Sequence, residues 1–241
     1  MYNNKETIAE AIESVLSQSY ADIEYIVVDG ASTDGTLEVL GQYKEQITTF
    51  VSEPDKGIYD GLNKGVALAT GDVVGFLHSD DLFENEQVLA KVAHTFQEQK
   101  VDSIYGDLTY VRKEDTEKVV RYWKSADFSM KKLKNGWMPP HPTFYVKREV
   151  YEKFGAFDSS FKIAADYDCI LRFLGREQIS TAYIPEVLVK MRVGGASNKS
   201  LKNLIQKSRE DFRAMKNNGV GHIGSLLMKN AVKIPQFFKR K

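Results

Sequence analysis

Gly71-Asp-Val-Val-Gly-Phe-Leu-His-Ser-Asp-Asp81 is the stretch on which the rest of the chain is organised. Val73, Val74, Phe76 and Leu77, interrupted only by Gly75, read as a short, fully buried strand. Directly at its C-terminal end, where an open α/β sheet places its ligand crevice, stand Asp80 and Asp81. Adjacent carboxylates are costly to desolvate unless a cation or hydrogen-bond donors compensate them. Hard oxygen ligands of this kind suit Mg²⁺ or Mn²⁺, particularly when substrate phosphates complete the coordination shell. The plainer alternative is a turn capping the next helix, because Asp is favoured both in turns and at N-caps.

The segments before this stretch supply the βαβ pattern that makes the crevice plausible. Met1-Tyr2-Asn3-Asn4 leads straight into a helix, with Asn4 as N-cap and Ile8, Ile12, Val15 and Leu16 on one face. An α/β chain normally places a strand before such a helix, and none is present here. Ile23 to Asp29 is a strand ending on an acid, followed by the turn-rich Gly30-Ala-Ser-Thr-Asp-Gly35 and a helix from Thr36 to Leu40 with Leu37 and Leu40 inward. Strand, acid, small-residue loop and helix is the layout of a nucleotide-binding unit. The spacing is neither GxGxxG nor a P-loop, which removes a dinucleotide site and an NTPase. A strand from Thr48 to Ser52, a turn at Glu53-Pro-Asp-Lys-Gly57 and a helix from Ile58 to Ala69 complete this half. Asp60 and Lys64 lie four apart on that helix, the spacing of an exposed ion pair, or they line a nucleotide pocket.

Beyond the Asp pair, a helix from about Glu86 to Gln99 is followed by a change of character at Asp102. Ser103–Val111 and Val119–Trp123 read as antiparallel strands around a polar linker. The Pro-rich Trp137 to Pro142 carries His141, which a lone-histidine reading makes either a satisfied hydrogen-bonder or a metal or acceptor ligand. A strand at Thr143 to Val146 and a helix at Glu149 to Phe154 follow. Asp166 then falls in the first turn of a helix whose inner face is Ile170, Leu171 and Leu174, either stabilising the helix N-terminus or projecting into a cleft as a general base. Two strands, Thr181 to Ile184 and Val187 to Val193, a flexible loop at Gly194 to Asn198 and a helix from Leu201 to Met215 close the body.

Composition narrows the classes. With 241 residues, 42% hydrophobic and 27% charged, the chain fits one large α/β domain or one domain with an added C-terminal element. Its 33 basic and 33 acidic residues cancel, which removes the electrostatic case for nucleic-acid binding by the body of the protein. The single cysteine, Cys169, cannot form an internal disulfide and lies in an apolar helical pattern; a reducing compartment fits, and with no His suitably placed near it a catalytic thiol is not expected. No apolar run approaches the roughly 20 residues of a membrane span, and no signal peptide is visible. After Gly219 the chain contains no acid, while lysines and arginines alternate with apolar residues. A basic amphipathic tail of that kind either lies on an anionic membrane surface or docks on the core with a solvated end; Pro235 limits any continuous helix.

Four motifs in order, Val28-Asp-Gly-Ala-Ser-Thr-Asp-Gly-Thr36, Glu53 to Asp60 with Asn63-Lys-Gly65, Ala69 through Asp81, and Ala165-Asp-Tyr-Asp168, resemble those of the family-two glycosyltransferases. The resemblance covers nearly all of 1–200. It implies a GT-A type nucleotide-binding mixed α/β sheet flanked by helices, divided into a nucleotide-sugar half (1–101) and an acceptor half (102–200), with 201–241 as a basic amphipathic helical extension. By resemblance Asp29 bonds the nucleotide base, Asp60 lines its pocket, and Tyr2, Asn3, Ser32, Lys64, Ser79 and Asp80 join them around the nucleotide. Ser79-Asp80-Asp81 resembles the DxD metal motif, with Asp80 and Asp81 holding Mg²⁺ or Mn²⁺, and Asp166 resembles the base that activates an acceptor hydroxyl for inverting transfer.

Two departures from the family accompany these residues. His78 stands where the DxD motif usually begins with Asp, and the first strand, which should end at Tyr2-Asn3, is missing. Either the start is truncated or another segment or chain fills the gap. The implied function is transfer of a sugar from a nucleotide-diphosphate donor to a saccharide or lipid-linked hydroxyl, in surface polysaccharide synthesis, on the cytoplasmic side and peripheral to the membrane. A catalytically inactive binding protein that keeps the fold is the second reading. A nucleotidyltransferase is the third, disfavoured because no Gly-rich, lysine-bearing loop precedes the first helix.

Overall fold

The computed structural model describes residues 1–194 and 201–231. The chain opens with α1 (Ile8–Leu16), β1 (Ile26–Asp29), α2 (Thr36–Gly41), β2 (Thr49–Ser52) and α3 (Ile58–Leu68). In α1 the buried stripe is Ile8, Ala11, Ile12 and Val15, whereas Leu16 is 36% exposed. At 3.6 residues per turn Leu16 lies about 80° from Ile8, off the centre of the face. Leu37 is exposed for the same reason, and Thr36 and Leu40, one turn apart, face inward instead. Asn4 does not cap the helix with its side chain. Its carbonyl accepts from the Thr7 and Ile8 amides at 3.2 and 3.1 Å, which leaves the amide group free for another partner.

β1 and β2 pair in parallel and form a two-stranded sheet of their own. The larger sheet contains β3 (Val73–Val74), β4 (Leu82–Phe83), β5 (Ser103–Val111), β6 (Val119–Trp123), β7 (Tyr145–Lys147) and β8 (Thr181–Arg192), in the order β3-β7-β5-β8-β4, with β6 on β5. No strand among the described residues joins the two sheets. On the edge of β1 away from β2 stands Met1: its ammonium donates to Val28 O at 2.7 Å and its carbonyl accepts from Gly30 N at 2.7 Å, the alternation of a parallel bridge.

The expected strand through Leu77 is shorter than its hydrophobicity implied. Only Val73 and Val74 pair, antiparallel to β7, and Phe76 and Leu77 leave the ladder half-buried. Gly75 is where the chain departs, and a Cβ there would lie 2.4 Å from the Tyr145 ring. The turn after it closes through Asp81 N to His78 O at 2.9 Å before β4 and the helix α4 (Val88–Gln99).

The hairpin of β5 and β6 forms as its residues dictate, antiparallel across the polar linker. β8 is one strand rather than two. Its parallel register against β5 moves from Tyr105↔Tyr183 to Asp107↔Val187, so the strand bulges outward at exposed Pro185 and Glu186 and resumes. Proline without an N–H is tolerated at such a bulge. The helix α5 (Met130–Lys134), a 3₁₀ turn at His141–Thr143, and helices α6 (Arg148–Phe154) and α7 (Ala165–Ile170) follow, α7 running on as a π-helical turn through Leu171–Arg176. The main core packs α7, with Ile170, Leu171 and Leu174 fully buried, against Tyr105, Val146, Tyr151 and Phe173. Each such apolar side chain contributes about 1.5–3 kcal/mol by leaving water.

Two further helices, α8 (Leu201–Asn218) and α9 (Ile223–Ala231), cover α7. Glu210 of α8 accepts from the backbone amides of Lys162, Ile163 and Ala164 at 2.8–3.1 Å, and Asp211 pairs with Lys229 of α9 at 2.8 Å. Lys229 is 5% exposed and lies over the Tyr167 ring, so this tail lysine is packed rather than solvated. The expected loop beyond Gly194, 195–198, and the last part of the basic tail, 232–241, lie outside the described residues. No helix among the described residues is long and apolar enough to cross a membrane.

Candidate active site

Three of the residues expected around a nucleotide, Asn3, Asp29 and Ser32, form one hydrogen-bonded unit at the end of β1. Asp29 is fully buried; its Oδ1 accepts from Ser32 Oγ at 2.5 Å and its Oδ2 from Ser32 N at 2.9 Å and Ser52 Oγ at 2.7 Å. Ser32 Oγ in turn accepts from Asn3 N at 2.8 Å, and Asn3 Oδ1 accepts from Thr33 N at 2.9 Å. Asn3 holds a left-handed backbone at φ 52°, a conformation Asn tolerates better than most residues. Tyr2 is 59% exposed, a ring open to a stacking partner. Asp29 and Ser32 therefore order the 30–33 loop, and their oxygens are already engaged.

Asp60 and Lys64 form the helical ion pair at 3.6 Å, and Lys64 also reaches Glu53 at 2.9 Å. The amide of Lys56 donates to Asp60 Oδ2 at 3.0 Å and lowers the acid's pKa. These two residues thus tie the 53–57 turn to the first turns of α3.

The Asn4 side chain, freed from capping, donates to Ser79 Oγ, and Thr7 Oγ1 donates to the Ser79 carbonyl at 3.0 Å. The acidic turn is thereby fastened to the first helix and, through Asn3 and Ser32, to Asp29. On its other side the end of β8 holds it. Arg192 N donates to Asp81 Oδ1 at 3.1 Å, and the Arg192 guanidinium, only 2% exposed, donates to the Asp80 carbonyl at 2.8 Å, the Lys113 carbonyl at 3.2 Å and Glu10 at 2.6 Å. The Asp81 Oδ2 atom is buried and has no hydrogen-bond partner. Burial first, and the neighbouring Asp80 charge second, push its carboxyl well above the usual range.

A buried carboxylate oxygen without a partner, next to a second carboxylate, is a donor set that fits Mg²⁺ or Mn²⁺. No group of three or more acidic, histidine or cysteine ligands occurs among the described residues. An ion held by Asp80 and Asp81 would draw its other ligands from phosphate oxygens and water, as Mg²⁺ commonly does.

Asp166 stands in the first turn of α7, where Ala165 and Tyr167 on either side are buried and anchor it. Tyr59 of α3 donates its hydroxyl to Asp166 Oδ1 at 3.2 Å. The Asp166 charge also acts on His78 and His141, and with Asp81 on Tyr110, which brings Asp166 and the acidic turn into one electrostatic neighbourhood. His78 feels Asp80 and Asp166 together. His141 is 8% exposed and stacks on Phe76 with ring centres 5.8 Å apart; burial pushes its pKa down to about 4. His78 lies 6.3 Å from it, ring to ring. Among the described residues, His141 is in no metal-ligand cluster. Cys169 is buried, its thiol pushed up to about 12 by desolvation, which agrees with an inert structural role.

Sequence reasoning missed Tyr59, whose position one turn from Asn63 gives no sign of its partner, and Arg192, whose contact with Asp81 spans 111 residues. It also gave no role to Phe76 and Phe157, which pack around His141.

A mixed sheet flanked by helices, with an acidic turn and a carboxylate on the opposing helix, defines the GT-A class of nucleotide-sugar folds. The chain matches the family described as Glycosyl transferase family 2 over residues 1–162, and it belongs to that family. It is 32% identical over 177 residues to an uncharacterized glycosyltransferase of Mycobacterium tuberculosis (strain ATCC 25618 / H37Rv), covering 71% of this chain and 65% of that protein. A PGL/p-HBAD biosynthesis glycosyltransferase of Mycobacterium bovis (strain BCG / Pasteur 1173P2) is 28% identical over 201 residues, covering 81% and 76%. This chain therefore spans just under two thirds, 65%, of the first of these relatives. Among solved structures, S. aureus TarS 1-349 in complex with UDP superposes with a TM-score of 0.67 at 17% identity, covering 99% of this chain and 70% of that one. The mannosyltransferase PcManGT from Pyrobaculum calidifontis, in complex with GDP-Man and Mn²⁺, gives 0.63 at 20%, covering 99% and 71%. At these identities the likeness is one of fold.

Proposed function

We propose that the protein transfers a sugar from a nucleotide-diphosphate donor to a hydroxyl of a saccharide or lipid-linked acceptor, with inversion, in surface polysaccharide or glycolipid synthesis at the cytoplasmic face of a membrane. The observation that carries this reading is the hydrogen bond from Tyr59 to one oxygen of Asp166. It fixes the carboxylate and leaves the second oxygen to accept a proton, the arrangement that a weakly nucleophilic sugar hydroxyl requires of its base. The acceptor oxygen attacks the anomeric carbon as the bond to the diphosphate oxygen breaks; the proton goes to Asp166 and the electron pair leaves with the diphosphate. A divalent ion on Asp80 and Asp81 would neutralise charge developing on that leaving group. The residues around Tyr2, Asn3, Asp29, Ser32, Asp60, Lys64 and Ser79 bind the nucleotide in the first half (1–101). The second half (102–200) receives the acceptor, with His141 lining that side.

Relatives support this reading by name, one bound to UDP and another to GDP-Man with Mn²⁺. The test is calorimetric titration of UDP and GDP with and without Mn²⁺, paired with Asp166→Asn. Metal-dependent nucleotide binding, retained by the variant while transfer is lost, is the expected result. No nucleotide binding under either condition would favour a fold-retaining protein without activity, and loss of donor affinity in Asp166→Asn would remove the base assignment.

A further inference from the structure

The helix α8 carries two acids, and both face inward. Glu210 is occupied by three backbone amides of the 162–164 loop, and Asp211 by Lys229. Ala214, Met215 and Asn218 are buried on the same side. The opposite side is built from Lys202, Ile205, Arg209, Phe212 and Lys216, which are all exposed. Their spacing of three and four residues keeps them in one stripe along the helix. Ile205 is 49% exposed and Phe212 41%, so two large apolar side chains stand in water between three cations. From Lys202 to Lys216 the stripe is about 21 Å long at 1.5 Å per residue.

We infer that this outward stripe of α8 is a docking surface for an anionic lipid bilayer. Charge decides the occupant. A second copy of the chain laid on the same stripe would oppose cation to cation. A bilayer with anionic headgroups instead pairs with Lys202, Arg209 and Lys216, while Ile205 and Phe212 enter the boundary between headgroups and acyl chains. Long basic side chains suit this position because their stems lie along apolar surface and their heads stay at the headgroup level. The acids that would repel such a surface have been withdrawn into the protein, where they fasten α8 to the 162–164 loop before Asp166 and to α9. Docking here would hold α7 and its carboxylate next to the membrane. The inference takes its purpose from the proposed transfer to a lipid-linked acceptor, but the surface itself is argued from charge and exposure.

The test is co-sedimentation of the full chain with vesicles of phosphatidylcholine alone and of phosphatidylcholine with phosphatidylglycerol. Binding to the anionic vesicles only, weakened by added salt, is expected. The pair Ile205→Asp with Phe212→Asp and the pair Lys202→Glu with Arg209→Glu should each lower partitioning by at least about tenfold. Val120→Asp, at a 38% exposed apolar position elsewhere, should leave it unchanged. Nucleotide release from donor sugars in solution, read in the same variants, separates the docking surface from the transferase reading. Equal binding to neutral vesicles, undiminished binding of both α8 pairs, or a dimer in sedimentation velocity that Phe212→Asp dissolves would each overturn the proposal.

Discussion

Arg192 donates its backbone N–H to Asp81 Oδ1 at 3.1 Å and its guanidinium to the carbonyl of Asp80 at 2.8 Å, so one buried residue at the end of β8 grips both members of the acidic pair. The two contacts separate under mutation. Arg192→Met keeps the backbone bond to Asp81 and much of the volume, while it releases Asp80, the Lys113 carbonyl and Glu10. Losing buried charge-assisted bonds should cost about 2–3 kcal/mol of stability. Removing the support behind the proposed metal ligands should weaken Mn²⁺-dependent UDP affinity by about 10–100-fold. Urea unfolding and calorimetry check the two quantities. Lower stability with unchanged metal dependence would make Arg192 a purely structural residue.

Gly75 offers a packing prediction that needs no activity. A methyl group there would meet Tyr145 ring carbons at 2.4 Å, and Tyr145 is 5% exposed and cannot swing away freely. Gly75→Ala should cost about 1–3 kcal/mol by overpacking. Gly41, the last residue of α2, has nothing within 4 Å of an added Cβ. Gly41→Ala should therefore be neutral or stabilising by up to about 1 kcal/mol, through the entropy of the unfolded chain. Thermal melts should fall for Gly75→Ala and hold or rise for Gly41→Ala; a Gly75→Ala melt equal to wild type would show that the ring yields.

How much of this was legible in the sequence depended on the range of the interaction. The α1 stripe, the β5–β6 hairpin and the placement of Asp166 in a first helical turn follow from local periodicity and β-forming residues, and the structure has them. Leu16 and Leu37 were misplaced because a stripe's edge cannot be told from its centre by hydrophobicity alone. Pro185 broke one strand into two on paper, whereas the parallel partner β5 carries the pairing across the bulge. The strand at Val73 was overextended because Phe76 and Leu77 are apolar for packing rather than pairing. In the candidate site, pairings close in sequence, such as Asp60 with Lys64, follow from spacing, while those brought together by topology, Tyr59 with Asp166 and Arg192 with Asp81, do not.

His141 supplies a pH prediction. Its folded pKa of about 4 lies below the ordinary 6.5, with burial as the main cause. Between these values the unfolded chain binds a proton that the folded chain does not, so stability rises with pH across this window and its contribution is complete above about 6.5. The full shift corresponds to about 3 kcal/mol. Chemical unfolding of wild type and His141→Gln at a series of pH values checks it: the variant's slope between about pH 4 and 6.5 should be shallower. Parallel slopes would place the titration elsewhere, with His78, whose pKa burial also lowers, as the first alternative.

Tyr59→Phe isolates what holds the proposed base. Tyr59 is 8% exposed and stacks on Phe157 with centroids 5.9 Å apart, so the phenyl ring of the variant keeps its packing and only the hydroxyl is lost. The Asp166 carboxylate then loses its 3.2 Å donor and the orientation that goes with it. A hydrogen bond to a charged group is worth about 1.5–3 kcal/mol, and a loosened base makes fewer productive encounters with the acceptor hydroxyl. The expected outcome is a fall in kcat of about tenfold or more, with UDP affinity in the presence of Mn²⁺ unchanged, because the Tyr59 hydroxyl bonds the carboxylate of the proposed base. Asp166→Asn should be far more severe, since the amide cannot take the proton at all. If Tyr59→Phe instead weakens nucleotide binding and leaves kcat intact, the tyrosine serves the donor pocket, and Asp166 must be oriented by something other than this hydrogen bond.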